Sequence, residues 1–455
     1  MKYLPQRLEA VPDGREVLVI PERLSFSDLR KCQDLLQGPP LREGVILLTS
    51  RISIALRALV QLDGAVNRVL LASPRMPLAT VWELGRRSEC CVILTDNASF
   101  DVPDGFHCRE LPDKLVSPEF QTGIGACQRR FTTQWLLATT GTTGTPKLVG
   151  HSLTSLTRTT KTDVNLGASM RWGLLYDFTR FAGLQVVLQA LLSGSALIAP
   201  DPGSPLKQQI TDLVSGGCTH LSATPTLWRK ILMTMGSEKL DLKQVTLGGE
   251  IADQRILTAL KKRYPGARVT HIYASTEAGV GFSVSDGLAG FPATFLENPP
   301  AGIELRIHEG HLQVRNPHVH GKYLGTGESF ADEDGFVETG DLVERHGDRI
   351  SFLGRASGVI NVGGNKVHPE RVERVLLEHP GVAEAKSYSR KSPITGALVA
   401  ADVVACETDL GPAELRSVLL KHCSERLARH EVPATLQFVE DLDINESGKI
   451  SRQFA

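Results

Sequence analysis

The chain has 455 residues, 41% hydrophobic and 22% charged, which suits a globular protein of two to four structural units at roughly 100–200 residues each. Lys plus Arg number 50 against 51 Asp plus Glu, so the net charge of -1 gives no global pull toward nucleic acid or an anionic membrane. Eight cysteines with no C-x-x-C pair predict buried thiols in a reducing compartment, and no apolar targeting core follows MKYLPQRLEAVPDGR, so a cytoplasmic enzyme is expected.

Taken in order, Gly44–Thr49, Val69–Ala72, Cys91–Thr95 and Trp135–Ala138 are short apolar runs that predict buried strands. The apolar stretch Leu184–Pro200 is broken by Gln185, Gln189, Ser193, Gly194 and Ser195, which makes it too polar to span a bilayer. Alternation of such strands with helical patterns predicts an α/β architecture with largely parallel sheets. From about Ile303 to Phe352, short strands and Gly-rich turns predict a small β-rich unit. Beyond it, helices over Pro369–His379 and Pro412–Arg429 and strands over Val382–Ser389, Leu398–Cys406 and Thr435–Val439 predict a separate α+β domain. The expected division is 1–356 and 357–455, with the boundary at Ser357-Gly358.

Four motifs carry chemistry. The loop Thr139-Thr140-Gly141-Thr142-Thr143-Gly144-Thr145-Pro146-Lys147 follows a strand-like run, and its glycines, hydroxyls and ammonium suit a polyphosphate. It is not a Walker A loop, since Pro146 precedes the lysine and no Ser or Thr follows it. In His271-Ile272-Tyr273-Ala274-Ser275-Thr276-Glu277, a hydroxyl beside a carboxylate suits a phosphate and Mg²⁺. Thr339-Gly340-Asp341 with Gly354-Arg355 offers a carboxylate and a guanidinium for ribose hydroxyls. The fourth motif is Gly448-Lys449 in ESGKISR. Alone, the first reads equally well as a polar surface loop, and the others are more commonly a strand end, a turn with a solvated acid and a surface lysine.

In type, order and spacing the four together resemble the ANL superfamily of adenylate-forming enzymes: acyl-CoA synthetases, adenylation domains of nonribosomal peptide synthetases, and luciferases. The resemblance runs from about Trp135 to Arg452 and includes GRASGVINVGGNKVHPERVE and HEVPATLQFVEDLDINESGKISR. It implies that Thr139, Thr140, Thr142, Thr143 and Lys147, with Gly141 and Gly144 shaping the loop, meet the β- and γ-phosphates of ATP. Gly248, Gly249 and Glu250 would flank adenine and Tyr273 would stack near it. Thr276 would bond the α-phosphate, Glu277 would hold Mg²⁺, and Asp341 and Arg355 would fix the ribose. Lys449 would reach between the substrate carboxylate and the α-phosphate. The carboxylate attacks, pyrophosphate leaves, and an acyl-adenylate forms.

The family's second step uses a rotated C-terminal domain that withdraws Lys449 and brings in Gly363, Gly364 and Lys366 for a pantetheine thiol. Ser357 stands where the family hinge carries Asp or Lys, which predicts a looser hinge. Ala274 replaces a common Gly, and His271 stands where Asn is frequent. About 138 residues precede the first motif, so a trimmed N-terminal subdomain is expected.

For the acyl pocket the sequence offers Asp177, Arg180, Gly183, Thr224, His271 and Ala274. Tyr176-Asp177-Phe178-Thr179 resembles a segment of amino-acid-activating domains in which Asp meets an α-amino group. Arg180-Phe181-Ala182-Gly183 resembles the His-x-x-Gly segment of acyl- and aryl-CoA synthetases, with Arg180 in place of His. There Arg180 would pair with a second carboxylate on the acid, although a structural ion pair is the commoner role for such a residue. With no carrier domain in the sequence, the expected acceptor is CoA in trans, making the chain an acid–thiol ligase. The alternatives are a stand-alone adenylating enzyme that loads a carrier protein or an amine, and a non-catalytic nucleotide- or acyl-binding relative. Neither a nucleic-acid nor a membrane partner is expected.

Overall fold

The structure is a computed structural model that describes residues 3–31, 44–111, 131–139, 146–319, 321–392, 396–406 and 408–442. The four apolar runs form adjacent strands of one six-stranded sheet. Its order is His107–Glu110, Cys90–Thr95, Gly44–Leu48, Arg68–Ala72, Gln134–Ala138, Leu148–His151, parallel except for the last pair. An eight-stranded sheet runs Gly279–Val284, Arg268–Ser275, Gln244–Gly248, His220–Ala223, Arg171–Leu174, Ala196–Ile198, Glu16–Ile20, Leu24–Ser25. It too is parallel within and antiparallel only at its two edge pairs.

Helices Ile52–Leu62 and Phe181–Ser193 share one core with both sheets, packing with Val45, Leu47, Val69 and Leu71 of one and Leu18 and Leu197 of the other. Every residue of Ile52–Leu62 is buried, including the polar stripe Ser53, Arg57 and Gln61 at i, i+4, i+8, from which Gln61 Nε2 donates to Leu29 O at 3.2 Å. The stretch read as too polar for a membrane is the second of these helices plus the strand Ala196–Ile198, joined by Gly194 in a left-handed cap at φ 66°. Among the described residues no helix is long and apolar enough to cross a membrane.

The expected β-rich unit is a five-stranded antiparallel sheet, Phe291–Pro292, Arg349–Arg355, Phe336–His346, His311–Arg315, Glu304–His308. Residues from Ile360 onward build a core of their own, with helices Pro369–Glu378 and Pro412–Ser424 on a sheet of Val382–Ser392, Gly396–Ala405 and Thr435–Phe438. The second helix stops before the predicted Arg429. Leu427 must turn into the core, and Arg426 N already bonds Cys423 O at 3.1 Å in a tighter turn. The expectation of uniformly buried thiols also needs correction. Cys90, Cys218 and Cys423 are buried, but Cys91, Cys108 and Cys406 are half-exposed, because they sit at positions that only partly face a core.

This last unit packs against the rest at several points. Arg255 Nη1 donates to His379 O at 3.0 Å and Lys230 pairs with Asp441 at 2.5 Å. A Cβ on Gly354, whose φ is 137°, would lie 2.2 Å from the Glu370 carboxylate. Ser357 is exposed in a single 3₁₀ turn, Ala356–Gly358, beside buried Gly358.

Candidate active site

Parallel strands deliver their carboxyl ends to one edge of the sheet, and in α/β folds that edge is where ligands bind. Arg171–Leu174 leads to Tyr176 and Asp177, His220–Ala223 to Thr224, Gln244–Gly248 to Gly249 and Glu250, and Arg268–Ser275 to Thr276 and Glu277. In the other sheet Gln134–Ala138 leads to Thr139, whose N–H bonds Lys147 O at 2.8 Å and so closes the neck of the Thr/Gly loop. Thr140, Gly141, Thr142, Thr143, Gly144 and Lys449 lie outside the described residues.

The tightest cluster joins the second and third motifs. Tyr273 Oη donates to Asp341 Oδ2 at 2.6 Å, and Arg355 Nε lies 3.2 Å from Asp341 Oδ1. Asp341 and Arg355 are register partners on antiparallel strands, which sets their side chains side by side. Gly340, at φ 71°, bends the strand there as no L-residue does readily. Arg355 also donates to Thr339 O. The Tyr273 ring is stacked with Phe282 and Phe352, at centroid distances of 5.2 and 5.3 Å, so the aromatic core fixes it. Burial, and then the Asp341 charge, push the Tyr273 phenol far above its ordinary range, so it stays a donor.

The phosphate side is built across the two sheets. His151 is fully buried, and its Nε2 donates to Thr276 O at 2.9 Å. That carbonyl only accepts, so Nε2 carries the proton, and Nδ1 lies 3.2 Å from Ser155 Oγ. His151 thereby ties the strand leaving the Thr/Gly loop to the Thr276-Glu277 turn. Glu277 accepts from Tyr323 Oη at 3.3 Å. Lys147 Nζ lies 2.8 and 2.9 Å from the two oxygens of Glu328, and 4.6 Å from the centre of the Tyr323 ring. An open pocket of about 360 Å³ adjoins these groups, lined by Lys147, Tyr323, Glu328 and Phe330 among others. His151, Tyr323 and Glu328 were not singled out in the sequence, where a lone His four residues after Lys147 and the segment Gly321-Lys322-Tyr323 are weak signals.

The acyl-side residues carry local work instead. Asp177 Oδ1 accepts from Thr179 N at 2.9 Å and Thr179 Oγ1 at 2.7 Å, a self-contained turn. Gly183 lets that turn lie on its helix, since a Cβ would sit 2.2 Å from Asp177 O. Arg180 begins the same helix and donates from Nη1 to Ala138 O at 3.0 Å, the last strand residue before the Thr/Gly loop. Thr224 is a buried N-cap, accepting from Leu227 N at 3.0 Å. Glu250 accepts from Thr226 N at 3.0 Å at the start of that helix, where its charge suits the dipole. Gly248 O accepts from Tyr176 Oη at 3.4 Å, and Gly249 takes φ 82°.

His271 and Ala274, expected in one acyl pocket, are not brought together. Ala274 packs on the core shared by the two sheets, whereas His271, an odd number of residues away on the same strand, bonds Leu288 O at 3.1 Å on the opposite face. Burial holds the His271 imidazole below its ordinary value. Gly363 and Gly364, at φ 58° and 90°, form the two-residue turn of the hairpin Ile360–Val362/Asn365–Val367, with Lys366 exposed beside them. Positive φ at both central positions is what such a hairpin demands, so the turn alone explains both glycines.

Residues 69–329 match the model of the AMP-binding enzyme family, and residues 371–449 that of the AMP-binding enzyme C-terminal domain. A 2-succinylbenzoate–CoA ligase of Bacillus cereus is 26% identical over 99% of this chain and 97% of its own. The fold is similar to that of an E. coli MenE variant with bound OSB-AMS, with a TM-score of 0.77, 23% identity and 96% of each chain covered. It is also similar to ATP-bound MatB from Rhodopseudomonas palustris, with a TM-score of 0.80, 20% identity, and 98% of this chain and 96% of that one covered.

Proposed function

This chain belongs to the AMP-binding enzyme family, within the ANL superfamily, and from that premise we propose that it is an ATP-dependent acid–thiol ligase acting on an aromatic dicarboxylate of the 2-succinylbenzoate type. The observation that carries the reading is the Asp341 carboxylate, held by Tyr273 at 2.6 Å and by Arg355 at 3.2 Å at the edge where the motif residues converge. So held, it is an acceptor for the two hydroxyls of a ribose. Thr276 and Lys147 then face the phosphates. The acid's carboxylate attacks the α-phosphorus, the bond to pyrophosphate breaks, and the acyl-adenylate is left for the thiol of CoA to displace AMP.

Both reactants are anionic, so charge compensation and positioning supply most of the rate. Among the described residues no three His, Cys, Asp or Glu side chains converge on one point. Glu277, whose carboxylate bonds among the described residues only a neutral phenol at 3.3 Å, fits an ion that takes one carboxylate and otherwise phosphate and water oxygens, which is the habit of Mg²⁺. When bound, that ion offsets the charge of the phosphates. Lys449 acts in the first step, and in the second the unit from Ser357 onward rotates to bring the Gly363–Lys366 hairpin to the thiol. Arg180 takes the carboxylate that is not activated, a role supported by its position at the neck of the Thr/Gly loop and by the dicarboxylate named in the relatives.

Carboxylate-dependent ATP–pyrophosphate exchange over a panel of acids, followed by mass detection of the CoA thioester, tests the proposal. Exchange with 2-succinylbenzoate and a CoA thioester are the expected results. Exchange without thioester would favour a carrier-protein or amine acceptor, and no exchange with any acid would overturn the reading.

A further inference from the structure

Resting on the reading of Glu277 as the metal carboxylate and Lys147 as a phosphate contact, we infer that Tyr323 is a positioning residue that sets both groups at once. Its hydroxyl donates to Glu277, since an ionised carboxylate only accepts. The bond occupies Oε1 at 3.3 Å. The carboxylate is thereby turned so that its other oxygen is the one available to a cation. The same residue's ring lies 4.6 Å from the Lys147 ammonium, a cation–π distance, while Glu328 also holds that ammonium at 2.8 Å. One side chain thus fixes the separation between a metal carboxylate and a phosphate lysine that lie 130 residues apart in the chain.

Tyr323 is itself well anchored. Its N–H bonds Glu328 O at 2.9 Å, and its carbonyl accepts from Gly327 N at 3.1 Å. The next residue, Leu324, bridges to Leu148, with N–H to O at 2.9 Å, directly after Lys147. The Tyr323 ring also packs at 4.8 Å against Phe330. The segment Tyr323–Glu328 is therefore a brace that joins the β-rich unit to the exit of the Thr/Gly loop.

The test is equilibrium binding of ATP to the full chain, with Mg²⁺ and with a chelator, and of AMP as a control for folding and for the ribose end. Tyr323→Phe keeps the ring and removes only the hydroxyl. It should weaken MgATP binding about tenfold, the lower end of what loss of a metal ligand's hydrogen-bonding partner costs. Binding of AMP and of metal-free ATP should stay within about twofold, and the Mg²⁺ concentration for half-maximal exchange should rise in step. Glu277→Gln should abolish the Mg²⁺-dependent gain. If Glu277→Gln abolishes it and Tyr323→Phe leaves it intact, the role of Tyr323 is overturned while the metal reading stands. If Glu277→Gln keeps the gain, the metal reading fails and this inference with it. Equal weakening of AMP and MgATP by Tyr323→Phe shows a structural role only, and also overturns it.

Discussion

The proposed nucleotide end and the proposed acyl end of the site are built in different ways. At the nucleotide end the motif residues spend their polar atoms on one another. Tyr273 meets Asp341 across 68 positions, Arg355 meets Asp341 across a strand pair, and Tyr323 meets Glu277. At the acyl end Asp177 and Thr224 spend theirs on neighbours in sequence, Thr179 and Leu227, and Arg180 and His271 reach further, to backbone carbonyls. Chemistry common to every substrate of such an enzyme is thus preformed by long-range contacts, and its residue types are constrained. The acyl end shares only a scaffold, and selectivity there must come from the few groups that project beyond it.

The largest expected effect would break the comparison outright. Asp341→Ala strips the buried Tyr273 phenol of its acceptor and the exposed Arg355 of its partner, and it removes the charged acceptor proposed for two ribose hydroxyls, each hydrogen bond to a charged group being worth about 1.5–3 kcal/mol. Exchange kcat/KM should fall at least about a hundredfold. A loss smaller than about threefold would mean that the preformed cluster is structural.

A middle-sized effect would sharpen the acyl side. Arg180→Ala should raise KM for 2-succinylbenzoate about tenfold, roughly 1.4 kcal/mol, while leaving KM for ATP and for monocarboxylic acids near wild type. Equal losses with mono- and dicarboxylic acids would assign Arg180 to its bond with Ala138 O and to nothing on the acid.

The smallest effect lies at the seam beside Glu250. Glu384 is 3% exposed, and burial raises its carboxyl above the ordinary glutamate range despite Lys230 nearby. A carboxyl whose folded pKa exceeds its unfolded one gives stability that is complete below the unfolded value and fades as pH rises through the folded one. Glu384→Gln cannot titrate, so its melting midpoint should gain on wild type, by a few degrees, as pH rises above the ordinary glutamate range. A difference that stays constant over that rise would show that Glu384 does not ionise within it.

Much of this was legible beforehand for reasons that are local. The four apolar runs were strands because short runs bounded by turn residues have few other ways to bury themselves, and all four lie side by side in one sheet. Thr339-Gly340-Asp341 stood out because a turn residue beside a carboxylate is a local pattern, and the left-handed φ of Gly340 is the reason for the glycine. Tyr323 and Glu328 were invisible because each matters only through a partner at least 46 residues away. His271 was grouped with Ala274 by proximity along the chain, but in a strand an odd separation puts two side chains on opposite faces.

By itself, then, the sequence determined the element types and the order of the motifs, which rest on periodicity, turn stereochemistry and residue type, while the adenylating chemistry followed from the resemblance of those motifs to a known family. Which residues meet was decided by the tertiary structure alone. Strand order and register set Asp341 against Arg355, and the packing of two sheets around shared helices brought His151 to Thr276. The same packing left Asp177 closed on its own turn. Such meetings depend on how buried apolar faces stack across the whole chain, and no local pattern of residues encodes them.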